Sequence, residues 1–372
     1  MSTLKVNSIQ HSNGTDALTI DSAGNTSFSG VVTGTPLGNR NLIINGDMKI
    51  AQRGTSASGI TGSGYYTCDR FDIGGVSFGT FTQSQDTDVP TGQGFANSIK
   101  FLWTTANASL SNNSFLQMHQ SIEGQNLQYL KKGTANAETV TLSFWVKSNK
   151  TGTYIVNLWD IDNTRLIAKA YTINAVDTWE KKTITFAGDT VASFDNDNGR
   201  SLDLTFGLCA GTDNSSGTLQ TTWASAVAIN RYVGQVNLAD AVNNYINFTG
   251  VQLEVGDTAT PFEHRPYDME LARCQRYCVQ GDFALAGCYG GGGAYPIAGH
   301  TYSTPMRAAP SITYISGGTA SDGIADYAVT GLLATQAVTS RSARILLTQT
   351  GTSAGGRGMD TKAVTLKFDA EL

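Results

Sequence analysis

Four groups of residues have a spacing that chemistry could use. GTSAG, from Gly351 to Gly355, fits the G-x-S-x-G pattern that places a serine nucleophile on a strand-to-helix turn. That device needs a helix after the serine and a histidine further on. Here a strand pattern follows Ser353, and the last histidine, His300, lies upstream, so the stretch reads as a turn. Cys274 and Cys278 would share a helix face, but only two of the four ligands a structural metal takes are in view, and packing is the reading adopted. FDNDNGR gathers Asp195, Asp197 and Asn198, and DIDN supplies Asp160 and Asp162. Neither has the spacing of a calcium loop closed by a glutamate, and both read as Asx-turns. Ser2 and Lys5 match S-x-x-K at a chain terminus, which is read as chance. No H-E-x-x-H, P-loop or G-x-G-x-x-G occurs, so no catalytic residue, metal or cofactor is assigned.

The remaining chemistry is that of binding. TVTLSFWVKS and GTYIVNLWD are alternating runs joined by Asn149, Lys150, Thr151 and Gly152, which predicts a hairpin. Val140, Leu142, Phe144 and Val146 then share the core face with Tyr154, Val156 and Leu158. The opposite face carries Thr141, Ser143, Trp145, Asn157 and Trp159. Two indoles among small polar groups form a platform on which sugar rings can stack while their hydroxyls find amides. The competing reading is a second layer covering this face, as a sandwich requires of one of its sheets.

The elements that would carry these residues are mostly strands. Asn41 to about Thr260 shows short alternating runs and almost no helix periodicity, which suggests an all-β sandwich or barrel. Residues 1–40 alternate weakly around Asp-Ser and Gly-Asn turns with too few apolar residues to close a core, so they either self-associate or form a disordered leader. After Pro261 and Pro266, Asp268 is expected to cap a helix from Met269 to Cys278, with Leu271, Cys274 and Cys278 on one face. GCYGGGGAYP reads as a flexible joint or loop. SITYIS, ARILLTQ and TKAVTLKFDA then finish a small second β domain. The expected divisions are 1–40, 41–262, 263–280 and 281–372.

Composition narrows the partners. Charged residues make up 15% of the 372, below the roughly 25% of ordinary soluble domains, and 41 glycines accompany abundant Ser, Thr, Asn and Gln. A net charge of −5 offers no basic stripe for a nucleic acid. No apolar run reaches the ~18 residues of a membrane span, and MSTLKVNSIQ has neither the basic nor the apolar region of a secretory signal. The five cysteines are therefore read as reduced thiols of a protein made in a cytoplasm, while the polar surface looks extracellular. A virion component satisfies both.

NLIINGDM, TLSFWVKSNKTGTY, WEKKTITFAGD and FTGVQLEVG, in that order, resemble sugar-binding jelly-roll modules. They are still more similar to the version found in bacteriophage tail fibre proteins. There GVQLEVG-x-x-ATPFE-x-R, then E-L-x-x-CQRY, closes the jelly roll and leads to a distal domain. PMRAAPSITYI resembles the start of that domain, and LKVNSIQ with LTIDSAGN the virion-proximal segment. The resemblance implies a homotrimeric, non-enzymatic virion adhesin, attached to tail proteins through residues 1–40 and recognising a host surface polysaccharide or outer-membrane glycan. Where calcium-binding relatives carry acids, this chain has Asp47-Met48-Lys49 and Thr249-Gly250-Val251. Within the distal domain, Tyr289, Tyr295, Tyr302, Tyr314 and Tyr327 supply rings that can stack on sugars near glycine-rich loops, so host recognition is expected there. Two alternatives stay open. One is a tailspike depolymerase, which needs two carboxylates facing each other at ~5–9.5 Å, with Glu123, Asp160 and Glu254 as candidates. The other is a passive tail connector.

Overall fold

The computed structural model describes residues 6–10, 16–20, 22, 26–28, 38–291, 293–353 and 357–372. Ala354 and Gly355 of the GTSAG stretch, the following Gly356, and much of the 1–40 segment lie outside the described residues. The chain divides into two compact units, Met1–Arg40 and Asn41–Leu372. In the first, the strands Ser8–Gln10, Asp16–Ile20 and Thr26–Phe28 pair in sequence order, antiparallel, and Ile9 keeps 55% of its surface exposed.

The second unit is built on two antiparallel sheets, so the chain is all-β. A six-stranded sheet runs Glu180–Phe186, Val140–Ser148, Tyr245–Val255, Ser98–Thr105, Thr80–Asp86, Ser56–Ile60. A seven-stranded sheet runs Ala224–Ser225, Arg165–Ile173, Gly152–Asp160, Arg200–Ala210, Phe115–Glu123, Asp72–Val76, Gly64–Tyr65. The chain repeatedly crosses from one sheet to the other, as in a jelly roll. Alternate residues of each strand point into one shared core, where the Phe144 ring meets Phe206 at 5.0 Å and Tyr171 at 5.1 Å from the opposite sheet. Each such fully buried ring contributes about 1.5–3 kcal/mol by leaving water.

This arrangement corrects the expected hairpin. Val140–Ser148 pairs with Glu180–Phe186 and Tyr245–Val255, whereas Gly152–Asp160 pairs with Arg165–Ile173 and Arg200–Ala210. Both runs are apolar on one face, and standing opposite each other buries both faces in one core. The link between them is turned across the sandwich: Asn149 Oδ1 accepts from Tyr245 N at 2.9 Å, and its Nδ2 donates to Asn243 O at 3.1 Å. The inward residues are nevertheless those expected, because side-chain parity along a strand does not depend on the partner.

The motif residues quoted above turn out to be a clamp around one bulge. Gly250 takes φ +62, and the register between Val140–Ser148 and Tyr245–Val255 shifts there. Val251 N donates to Gly46 O at 2.9 Å, an approach so close that a Cβ on Gly46 would lie 2.1 Å from Val251 O. Asn41 Oδ1 accepts from Leu253 N at 3.1 Å, and its Nδ2 donates to Val251 O at 3.1 Å. Buried Arg265 donates to the carbonyls of Ile43 and Asn41 and faces Glu270 at 3.3 Å and Glu263 at 3.2 Å.

The helix is Tyr267–Gln275, with Pro266 at its N-cap; Asp268 sits in the first turn instead of capping it, and Cys278 opens the strand Cys278–Phe283. Pro266 lacks an N–H and has a preset φ, so it suits the position just before the first turn. The helix is anchored on the sandwich. Arg276 makes a bidentate pair with Glu123, both contacts at 2.7 Å, and the Tyr277 hydroxyl donates to Glu123 Oε1 at 2.5 Å. Beyond it, Cys278–Phe283, Val364–Asp369 and Ser311–Ser316 form a small sheet. Ala286–Gly290, Tyr295–Thr301, Ser342–Gln349, Asp326–Gln336, Thr319–Ser321 and Gly358–Lys362 close a barrel. The glycine-rich stretch expected as a flexible joint or loop forms the hairpin between two barrel strands, whose ladder pairs Gly290 with Tyr295. The chain end is held as well: Glu371 pairs with Arg70 and, at 3.0 Å, with Arg53. No helix among the described residues is long and apolar enough to cross a membrane.

Candidate functional site

Trp145 lies on the outer face of the six-stranded sheet, half-buried, with Lys181 and Thr249 as its register partners. Past Thr249 the Gly250 bulge leaves no side chain on this face, and the ring of Phe95 fills the space against the glycine. Phe95, Phe262 and His264 form an aromatic wall, with ring centres 5.1 Å (Phe95 to Phe262), 5.3 Å (Phe95 to His264) and 4.9 Å (Phe262 to His264) apart.

Buried polar groups set the position of that wall. Glu254 accepts from Thr260 N at 2.9 Å and from Thr260 Oγ1 at 2.6 Å, while Gln252 Nε2 donates to it at 2.8 Å. Gln252 Oε1 in turn accepts from Glu263 N at 2.8 Å, so the Ala259 to His264 loop is pinned at two points before any ligand arrives. The result is an open groove of about 360 Å³ with Trp145 on its floor. Gln93, Ser143, Thr260 and Lys181 bring polar groups to it, and none of its lining residues is a carboxylate. Such a groove can stack ring faces and hydrogen-bond ring hydroxyls; its own side chains supply no acid pair.

Of the residues singled out in sequence, Trp145 lines this groove and Trp159 does not. Trp159 belongs to the other sheet, so the two indoles share no platform. Arg231 stacks over Trp159 at 4.0 Å from its ring centre, and is tied by Nη2 to Gln117 Oε1 at 2.8 Å. The Tyr232 hydroxyl donates to the same Gln117 oxygen at 2.6 Å. Arg231 and Tyr232 therefore cover most of this face, leaving Trp159 half-buried, and Asn157 beside it is fully buried. Tyr289 and Tyr302 are also buried, among the barrel side chains, and offer no ring face to a ligand. Burial pushes both hydroxyls up to about 12. Tyr295 remains half-exposed beside Gly290 and Gly291. Tyr314 is anchored through its hydroxyl to Val329 O at 3.0 Å, and Tyr327 packs edge-on to Tyr289.

The candidate acids are all engaged elsewhere. Glu123 holds Arg276 and Tyr277, Asp160 pairs with Lys132 at 2.6 Å, and Glu254 braces the groove loop. Asp197 closes an Asx-turn on Gly199 N at 2.7 Å, and Asp162 accepts from Asp195 N at 3.0 Å. Cys274 and Cys278 are buried, and burial raises both thiols, so neither is a ready thiolate ligand. Among the described residues no group of three metal-ligating side chains gathers. Ser353 Oγ donates to Asp322 at 2.7 Å, while His300 stacks on Phe368, so serine and histidine are not brought together.

Nothing in the sequence marks Phe95, Phe262 and His264 as a unit. Phe262 and His264 sit inside the quoted ATPFEHR stretch, but nothing local points from there to Phe95.

No family model matches this chain, and no curated protein matches it. Among solved structures it is similar to the enzymatically active domain of tailspike protein 4 of bacteriophage CBA120, at 13% identity and a TM-score of 0.32, over 58% of this chain and 22% of that one. It is also similar to a family 4 carbohydrate-binding module, at 13% identity and a TM-score of 0.29, over 57% of this chain and 98% of that one. A family 61 carbohydrate-binding module in complex with β-1,4-galactotriose matches at 9% identity and a TM-score of 0.29, over 58% and 99%. The chain thus spans less than a quarter of the tailspike chain that it matches.

Proposed function

We propose that this chain is a non-catalytic, glycan-binding phage tail fibre that holds a host surface saccharide in the Trp145 groove. The observation that carries the reading is the groove itself: an accessible indole floor, an aromatic wall braced from beneath, and polar groups at the rim. Support for a binding role without catalysis comes from its carboxylate-free lining and from the prior engagement of Glu123, Asp160 and Glu254. This moves recognition from the distal domain, where sequence reasoning placed it, to the sandwich.

The virion setting, attachment through residues 1–40 and a homotrimeric state belong to the same proposal. They rest on the resemblance of the quoted motifs. Three copies of a weak site would raise avidity by ~10²–10⁴. The test is glycan-array and whole-cell binding by intact protein carrying Trp145→Ala, beside Trp159→Ala. Losing the indole should weaken single-site binding about tenfold or more, since about 1.4 kcal/mol of stacking is a factor of ten. Trp159→Ala, if it folds, should bind normally. Unchanged binding by Trp145→Ala would refute the assignment. Sedimentation of purified protein tests the trimer, and a clean monomer at micromolar concentration would remove it.

A further inference from the structure

A second groove opens where the edges of the two sheets part. Glu180–Phe186 is the edge strand of the six-stranded sheet, and Arg165–Ile173 has only the two-residue strand Ala224–Ser225 on its free side. Residues 187–191 and 221–223 wall an opening of about 350 Å³ between them, and it shares no lining residue with the Trp145 groove.

The walls are set in place. Trp223 Nε1 donates to Ala187 O at 2.7 Å, which orients the indole. Asp189 accepts from Arg165 Nε at 2.7 Å and Nη2 at 2.9 Å, and Lys132 lies 3.3 Å from Asp189 and 2.6 Å from Asp160. Three cations, Lys132, Arg165 and Lys169, therefore stand against two carboxylates, Asp160 and Asp189. The unmatched charge is Lys169, half-buried in the groove, with no ion pair or hydrogen bond among the described residues. The groove is locally positive on a chain of net charge −5, and Lys169, unlike the exposed Lys181 of the Trp145 groove, is partly withdrawn from solvent. Trp223 supplies a ring face, Val191 an apolar rim that is 51% exposed, and Thr190, Thr221 and Thr222 hydroxyls.

We propose that this edge groove is a second saccharide site, selective for a sugar chain that bears a carboxylate, with that carboxylate on Lys169 and a ring face on Trp223. A partly desolvated ammonium without a counter-ion favours an anion over a neutral hydroxyl, and the threonines match the remaining ring hydroxyls. The site does not depend on the Trp145 groove.

The experiment is calorimetry on the full-length protein with tetragalacturonate and a hyaluronan tetrasaccharide, each beside its methyl ester, which keeps the rings and removes the charge. At least one acid should bind, and its ester about tenfold more weakly. Lys169→Met, which keeps the aliphatic stem, should bring the acid down to the ester's affinity, while Lys169→Arg should retain it. Trp223→Phe should weaken acid and ester together. In Trp145→Ala the preference for acid over ester should persist, because that difference is read at Lys169. The proposal is overturned if neither acid binds, if acid and ester bind alike, or if folded Lys169→Met binds as tightly as the unaltered protein. Loss of the preference for acid in Trp145→Ala also overturns it, and would place the acid in the first groove, leaving the reading of that groove intact.

Discussion

Gly250→Ala should both destabilise the protein and distort the Trp145 groove. Gly250 takes φ +62, a left-handed conformation that costs a side-chain-bearing residue about 1–2 kcal/mol. A Cβ built there would lie 2.6 Å from Phe95 Cζ and 3.1 Å from Cε1. Carbon atoms rest at about 3.5–4.0 Å, so the ring must retreat by roughly 1 Å. Retreat loosens its contacts with Phe262 and His264, at 5.1 and 5.3 Å, and an aromatic pair contributes about 0.5–1.5 kcal/mol beyond its area. Together the loss should be about 2–4 kcal/mol. Gly59→Ala is the control, because Gly59 has φ +69 with nothing within 4 Å of the added carbon, so it carries only the backbone cost. Urea titration should show a larger fall in midpoint for Gly250→Ala than for Gly59→Ala, with unchanged slope. The glycan-array signal should fall for the first and hold for the second. Equal midpoints and equal binding would show that Phe95 is not wedged against the glycine and does not wall the groove.

Burial raises the Asp69 carboxyl to about 6, against the opposing pull of Arg53 and the Gln52 hydrogen bonds. Its folded pKa thus lies above the unfolded one, so its contribution is full below about pH 4 and is lost as pH rises through about 6, a change of about 2–3 kcal/mol. Asp69→Asn should flatten that part of the stability curve, and parallel urea midpoints for the two proteins between pH 4 and 7 would contradict the shift. Thiol titration should find one reactive cysteine, Cys288, in the native protein and five after denaturation, because the other four are buried with raised pKa values. Arg265→Met should cost about 3–5 kcal/mol by leaving buried Glu270 without its guanidinium, and a loss below about 1 kcal/mol in urea would show that the clamp is not structural.

Period-two alternation was legible without any knowledge of partners. It marked the chain as all-β and separated Val140, Leu142, Phe144 and Val146 from Thr141, Ser143 and Trp145, because parity is a property of one strand. The quoted motif residues were legible as a group, though their shared task at the Gly250 bulge was not. What alternation leaves open is which strand lies alongside and what covers the outer face. Those are decided by long-range pairing, so the run after Ser148 crossed to the opposite sheet and carried Trp159 away from Trp145. Burial of Tyr289 and Tyr302 was decided in the same way, by closure of a barrel that no single strand encodes. The Trp145 groove needed a loop around Phe95, a bulge at Gly250 and a pinned loop at Phe262 to converge. Each has a local signature of its own, a turn, a glycine or a proline, but only the tertiary fold brings the three within contact.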